Sequence, residues 1–228
     1  MRRLVEPELL DSLPSDDPSA VWSRRDLQRI NWWMRNERHV ATAISSLERE
    51  PTTILELGAG DGTSILRVAE RLESKGGQLY LLDREPVIQK ETVGRLSDMG
   101  WNVSVIKADV HEWLSSPEIA TVDLITANLF LHHFQETELK DIFQRCGKMS
   151  RNFVSCEPRR WKPAAIATRL LWLIGCNHVT RHDAIVSVRA GFADRELSEL
   201  WPDAEGFELT ERPAGFASHV FIAQKRIE

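Results

Sequence analysis

From residue 53 onward, short apolar runs alternate with stretches in which apolar residues return every three or four positions. The runs are Thr53–Leu57, Gln78–Leu82, Asn102–Ile106, Val122–Thr126 (preceded by Pro117) and Asn152–Cys156. Apolar runs of this length, bounded by turn-forming residues, predict buried strands. Between the first two, Ile65, Val68, Ala69 and Leu72 share one side of a predicted helix, Gly62–Leu72, which Gly76 and Gly77 end. Pro86 opens a predicted helix reaching Met99, and Glu136–Met149 predicts another. Two late runs, Phe207–Glu211 and His219–Ala223, predict the last strands. Strands alternating with helices predict an α/β fold: a mostly parallel sheet with helices on both faces.

Ahead of the sheet, Trp22 to Arg49 contains no glycine or proline, and Pro51 stops it. Leu27, Ile30, Met34, Ala41, Ile44 and Leu47 recur there at helical spacing, predicting one or two helices. Residues 1–19, rich in Pro, Ser and Asp, read as a loose lead-in. The expected organisation is a helical cover over residues 1–50 and a main domain over 51–228, with a lid insertion at about 158–200. Pro163–Cys176 is the longest apolar run, but Arg169 interrupts it, and it falls short of the ~20 residues that span a bilayer. It predicts a buried or lid helix, and no membrane partner is expected.

Composition narrows the function. The 228 residues suffice for one full core, and 42% hydrophobic with 28% charged residues is an ordinary soluble balance. The net charge of -5, with arginines paired only at Arg2-Arg3, Arg24-Arg25 and Arg159-Arg160, lacks the concentrated basic face of a nucleic-acid binder. No nucleic-acid partner is expected. Cys146, Cys156 and Cys176 form no C-x-x-C pair and are odd in number, and the N-terminus lacks a signal-peptide core. A reducing cytoplasm is the expected compartment.

The first strand runs into Glu56-Leu57-Gly58-Ala59-Gly60-Asp61-Gly62. Glycines allow a sharp turn and close approach to a ligand. In such sheets, ligands bind outside the carboxyl ends of the strands. A dinucleotide loop, G-x-G-x-x-G, would place its third glycine where Thr63 stands, and no Gly-Lys-Ser/Thr follows to make a P-loop. A carboxylate at Glu56 repels pyrophosphate and attracts a cationic cofactor. Asp83 ends the second strand 21 residues after Gly62, near the ~20 expected of a carboxylate that accepts ribose hydroxyls. Asp61 reads as a cap for the following helix, and Asp109 as either a ligand or the cap of the turn "DVHEW".

The stretch "ILELGAGDGTS", with "LYLLDREP", "VIKADVHEW" and "DLITANLFLHHF" following in order, resembles the class I S-adenosylmethionine-dependent methyltransferases, of the type acting on small molecules. The resemblance covers residues 52–157 strongly and 205–226 weakly, where "SHVFIAQK" resembles that family's final antiparallel strand. It implies a Rossmann-like fold of seven strands. It also implies S-adenosylmethionine as cofactor, S-adenosylhomocysteine as product, and cofactor contacts from Glu56, Gly58, Ala59, Gly60, Asp83, Arg84, Asp109, Val110 and Asn128.

Methyl transfer chiefly requires alignment of nucleophile, methyl and sulfur, and a base where the acceptor is a hydroxyl. Histidine suits that proton transfer near neutral pH. His133 is the expected base or substrate-orienting group, with packing or helix capping as its structural alternative. No third ligand accompanies His132 and His133 in sequence, so no metal is expected. Trp33, His132, Arg159, Arg181 and His182 are the expected acceptor contacts. His178, Arg181, His182, Asp183 and Arg189 form a dense polar patch, part of which reads as a capping box from Thr180 to Asp183. The acceptor is expected to be a small aromatic, quinone-like or polyketide-like molecule methylated at oxygen or carbon. RNA or protein methylation, and cofactor binding without catalysis, are the alternatives. The sequence leaves the oligomeric state open.

Overall fold

The computed structural model describes residues 1–14, 16–72, 76–116, 119, 121–202 and 205–226; Pro117 lies outside them. Helices α1 (Leu9–Ser12), α2 (Pro18–Met34) and α3 (Asn36–Ser45) precede the sheet. Strands β1 (Thr53–Leu57), β2 (Gly77–Asp83), β3 (Trp101–Lys107), β4 (Val122–Asn128) and β5 (Ser150–Pro158) alternate with α4 (Thr63–Ala69), α5 (Lys90–Asp98), α6 (Val110–Ser115) and α7 (Glu136–Met149). After β5 come α8 (Lys162–Thr168), α9 (His178–Ala190) and α10 (Glu196–Leu200), then β6 (Phe207–Ala214) and β7 (Ser218–Lys225).

The seven strands are ordered β3-β2-β1-β4-β5-β7-β6. β1 to β5 are mutually parallel, and β7 runs antiparallel to both neighbours. The order reverses between β1 and β4, so the crevice for a ligand opens where those two strands end. The expected antiparallel final strand is present.

Each sheet face carries its own core. On one, Phe143, Phe153, Trp201 and Phe221 pack with ring centroids 5.1 to 6.1 Å apart. On the other, Val40 and Ile44 of α3, Ile65 and Leu66 of α4 and Leu96 of α5 cover Ile54, Leu79, Leu81, Leu124 and Val154. Each such buried side chain contributes roughly 1.5–3 kcal/mol. α3 therefore belongs with α4 and α5 to the layer that covers this face of the sheet.

Several local expectations are sharpened or corrected. Arg35, in the left-handed conformation at φ 54°, divides the 22–49 stretch into α2 and α3. The helix expected from Pro86 begins at Lys90, because the Val87 amide donates to the Gly60 carbonyl (3.1 Å) and ties that segment to the glycine loop. The loose lead-in is instead an ordered strap. The Arg3 guanidinium donates to the carbonyls of Ala190 and Phe134, both at 2.8 Å, and lies 4.5 Å over the Phe192 ring. The capping box from Thr180 to Asp183 does not form. Asn177 caps α9, and Asp183 accepts the amides of Leu9 and Leu10 at 2.8 and 3.0 Å, holding the strap down.

Candidate functional site

The glycine loop leaves β1 with Gly58, Gly60 and Gly62 all at positive φ (70°, 55° and 73°). The amides of Gly58 and Ala59 donate to the Leu82 carbonyl at 2.9 and 3.1 Å, which lays the loop along the end of β2. The Gly60 amide donates to Asp83 Oδ2 (2.8 Å), and the Glu85 amide to Asp83 Oδ1 (2.8 Å). Each carboxylate oxygen has a second lone pair, so Asp83 is held in place with acceptor capacity to spare. A Cβ at Gly58 would sit 2.2 Å from the Phe130 ring, whereas one at Gly60 would meet nothing within 4 Å. Gly58 thus admits a packed aromatic ring, and Gly60 faces open space.

That space is a cavity of about 510 Å³, within the range of small-molecule sites. Gly60, Asp61, Ser64 and Asn128 lie on one side of it, and Leu27, Gln28 and Asn31 of α2 on the other. Gln28 Nε2 donates to Asp61 Oδ2 (3.0 Å), latching α2 to the glycine loop. Asp61 also accepts the Thr63 amide (2.9 Å), but from one residue ahead of the N-cap, which is Gly62 and not Asp61 as expected. Asn128 Nδ2 donates to Ser64 Oγ (2.8 Å), while its Oδ1 is buried without a hydrogen-bond partner. An unpaired buried acceptor is costly unless a ligand supplies the donor.

Glu56 is 3% exposed, and burial pushes its pKa up to about 8. It is therefore mostly neutral at pH 7 and ionises when a cation is placed beside it. Asp109 caps α6, accepting the amides of His111 (2.8 Å) and Glu112 (3.3 Å) through Oδ1. Val110 is buried and Arg84 is exposed.

The chain turns sharply after Asn128, with Leu129 left-handed at φ 53°. A fully buried carboxylate at the end of β5, Glu157, fixes this turn. It accepts the amides of Phe130 (3.0 Å), Leu131 (2.9 Å) and His132 (3.4 Å), and pairs with His132 Nδ1 (2.8 Å). The other ring nitrogen of His132 lies 3.5 Å from Glu8 of the strap. Burial alone disfavours charge on His132. Hydrogen bonds and attraction from Glu157 and Glu8 outweigh it and raise the pKa to about 9. Glu8 is driven the opposite way, to about 2: burial opposes its charge, but its hydrogen bond with His132 and the attraction of the two histidines outweigh it. His133, with its ring 4.3 Å from that of His132, has its pKa lowered, first by burial and then by the neighbouring positive charge.

Glu8, His132 and His133 bring possible metal-ligand atoms within 4.8 Å of one another, the third group that sequence alone could not supply. As the structure stands, both His132 nitrogens face carboxylates, and the group is satisfied as an ion pair.

The expected acceptor residues do not converge on the cavity. Trp33 is 77% exposed on the far side of α2. Arg159 stacks 4.2 Å over Trp161, and His182 pairs with Asp183 at 3.0 Å. Arg181 is half-buried, and neither it nor His132 lines the cavity. Arg189 pairs with Glu6, so the polar patch of α9 serves largely to hold the strap. Sequence reasoning missed Gln28 and Asn31, polar residues about one turn apart on one face of α2. It also left Glu157 without a role, although an acid closing the apolar run "NFVSCEP" was a visible signal.

The donors and acceptors at the loop fit S-adenosylmethionine: an acid at a strand end with free lone pairs, a buried acid able to ionise, an unpaired amide oxygen and an open glycine. Residues 54–152 match the family described as a methyltransferase domain. The plantazolicin methyltransferase BamL, solved with a triazolic desmethylPZN analog and SAH, shares 14% identity over 95% of this chain and 93% of its own, with a TM-score of 0.64. The pyocyanin biosynthetic protein PhzM shares 16% over 96% of this chain and 62% of its own (TM-score 0.61). An O-methyltransferase family protein from Burkholderia thailandensis shares 17% over 93% and 64% (TM-score 0.58). At such identities these likenesses are likenesses of fold. Glu56, the glycine loop, Asp83, Asp109 and Asn128 all fall within the matched stretch, which marks residues 54–152 as a methyltransferase domain.

Proposed function

We propose that the acceptor is a small, largely apolar molecule, aromatic or quinone- or polyketide-like, methylated at oxygen or carbon. The observation that carries this reading is the split between the two histidines. His132 is held as a cation, and burial followed by that charge lowers the pKa of His133. His133 lies by the strap outside the cavity lining, so it takes the proton of a phenol or enol only where the acceptor extends beyond the cavity. The named neighbours support the size class, since one was solved with a desmethylPZN analog and another belongs to pyocyanin biosynthesis.

When bound, S-adenosylmethionine would supply a methyl carbon on a sulfonium, open to in-line attack with the neutral thioether S-adenosylhomocysteine as the leaving group. Asp83 takes the ribose hydroxyls, and Val110 with Asp109 and Arg84 flanks the adenine end. Glu56 and the Asn128 Oδ1 face the ammonium, and Gly58, Ala59 and Gly60 let the backbone approach. The part of residues 1–50 ahead of α3, with α1 and α2, and the 158–200 insertion form the cover that shapes the acceptor side.

The test is His133→Ala, assayed with phenols, quinols and 1,3-dicarbonyl compounds. Binding of S-adenosylhomocysteine by calorimetry stays unchanged, while turnover falls about 10²-fold or more. Unchanged turnover removes His133 from the chemistry. Salt-sensitive methylation of tRNA or protein, with none of the small acceptors, overturns the acceptor class.

A further inference from the structure

α2 presents three faces. Ala20, Ser23 and Asp26 are buried, and Asp26 accepts the amide of Asn177, the residue that caps α9 (3.0 Å). Leu27, Gln28 and Asn31 line the cavity. At 3.6 residues per turn, the remaining face gathers Trp22, Arg25, Arg29, Trp32 and Trp33. The three tryptophans are 59%, 61% and 77% exposed. The Arg25 guanidinium lies 5.4 Å over the Trp22 ring.

This stripe continues onto the insertion. Arg29 donates to the carbonyl of Ile174 at 2.8 Å. There Ile166, Leu170, Trp172, Leu173 and Ile174 are all 48% to 61% exposed. Apolar surface on this scale, contributed by two adjoining elements, marks an interaction site in a soluble protein.

The charge around it identifies the partner. Residues 18–35 and 162–174 together carry six basic residues and a single acid, the buried Asp26. Arg24 lines the cavity and Arg29 pairs with Asp26 (3.2 Å), which leaves Arg25, Arg35, Lys162 and Arg169 around the face although the whole chain has a net charge of -5. Indole rings, guanidinium groups and aliphatic side chains on one surface match the layers of a lipid interface: headgroup level, phosphate, and acyl boundary. A second copy of this chain fits poorly, because a two-fold contact brings the same basic face against itself.

We propose that this face docks the enzyme on the surface of an anionic bilayer. The protein lies on the membrane without crossing it, and among the described residues no helix is long and apolar enough to cross. α2 then has lipid on one face and the cofactor cavity on another, so an apolar acceptor can pass from the bilayer to the cavity beside one helix. Only that last consequence rests on the acceptor class proposed above; the docking does not.

The test floats the full chain with phosphatidylcholine vesicles, with and without phosphatidylglycerol. It floats with the anionic vesicles, binds plain ones about tenfold more weakly, and is released by salt. The Trp22→Ser/Trp32→Ser/Trp33→Ser variant alters only exposed side chains. It retains S-adenosylhomocysteine binding and loses roughly tenfold or more in vesicle affinity. No flotation with anionic vesicles overturns the proposal, as does equal flotation of the variant. A dimer of the wild type in light scattering that the same substitutions dissolve also overturns it, since the face then belongs to a second copy.

Discussion

Glu157→Gln tests the ion cluster under the turn that follows β4. The carboxylate is 0% exposed and takes three backbone amides and His132 Nδ1 at 2.8 to 3.4 Å. Burial works against the charge on His132, yet its hydrogen bonds and attraction to Glu157 and Glu8 lift its pKa from 6.5 to about 9. A raised pKa contributes stability in full below the unfolded value, and the contribution fades as pH rises through the folded one. At about 1.36 kcal/mol per pH unit, the window from 6.5 to about 9 corresponds to about 3 kcal/mol. Gln keeps the shape, removes the charge, and turns a donor toward backbone donors. The variant keeps the Glu8 contact, so it loses at most about 3 kcal/mol of this contribution near pH 6.5, or up to about 6–12 °C in Tm for a chain of this size. Urea denaturation of both proteins between pH 6.5 and 9 reads the difference. The gap narrows as pH rises, because the variant keeps only the Glu8 share of this contribution and the wild type has more to lose. Glu56 titrates in the same range but is common to both proteins and cancels. A gap that stays constant across the window refutes the assignment of the His132 charge to Glu157.

Three further outcomes follow from the loop. Asp83→Ala removes the anchor of the Gly60 and Glu85 amides along with the ribose contacts, so the Kd for S-adenosylhomocysteine rises about 10²-fold; a change under about tenfold in calorimetry shows that the ribose is held elsewhere. Gly58→Ala drives a methyl to 2.2 Å from the Phe130 ring, whereas Gly60→Ala meets open space and costs only the left-handed strain of about 1–2 kcal/mol. Thermal melts rank Gly58→Ala as clearly worse, and equal losses contradict the placement of Phe130 over Gly58. Below pH 8 the neutral Glu56 ionises when the cationic cofactor binds, so calorimetry in buffers of different ionisation enthalpy records proton release. Glu56→Gln abolishes that release, and a wild type that binds without releasing protons shows that Glu56 does not face the charge.

The strands were legible because β1, β2, β4 and β5 are buried on both faces, and a doubly covered parallel strand must be an apolar run. The glycine loop was legible because its geometry demands glycine. What failed was local grammar overruled by distant partners. Pro86 is a sound helix-start signal, but a bond from the Val87 amide to the Gly60 carbonyl delays the helix to Lys90. Thr180 and Asp183 have the spacing of a cap, yet Asp183 meets two amides 173 and 174 residues away in sequence. Glu8 lies in a segment of loop composition, and no pattern along the chain says that it reaches a histidine 124 residues on.

The same principle explains why two identical residues, side by side, take opposite states. His132 points into a pocket with a carboxylate at each ring nitrogen, where a positive charge is the stable state. His133 is one residue on, a third exposed, and stacked on that charge. Burial, and then the charge on the first histidine, make the second harder to protonate, against the pull of the carboxylates. The ion cluster thus contributes twice: it fixes the turn carrying Phe130 against Gly58, and it sets the protonation state of the proposed base. Stability and proton transfer are therefore coupled through Glu157. A loss of turnover on substituting Glu157 does not by itself identify a catalytic group. Only a variant that keeps the cluster intact, such as His133→Ala, separates the base from its scaffold.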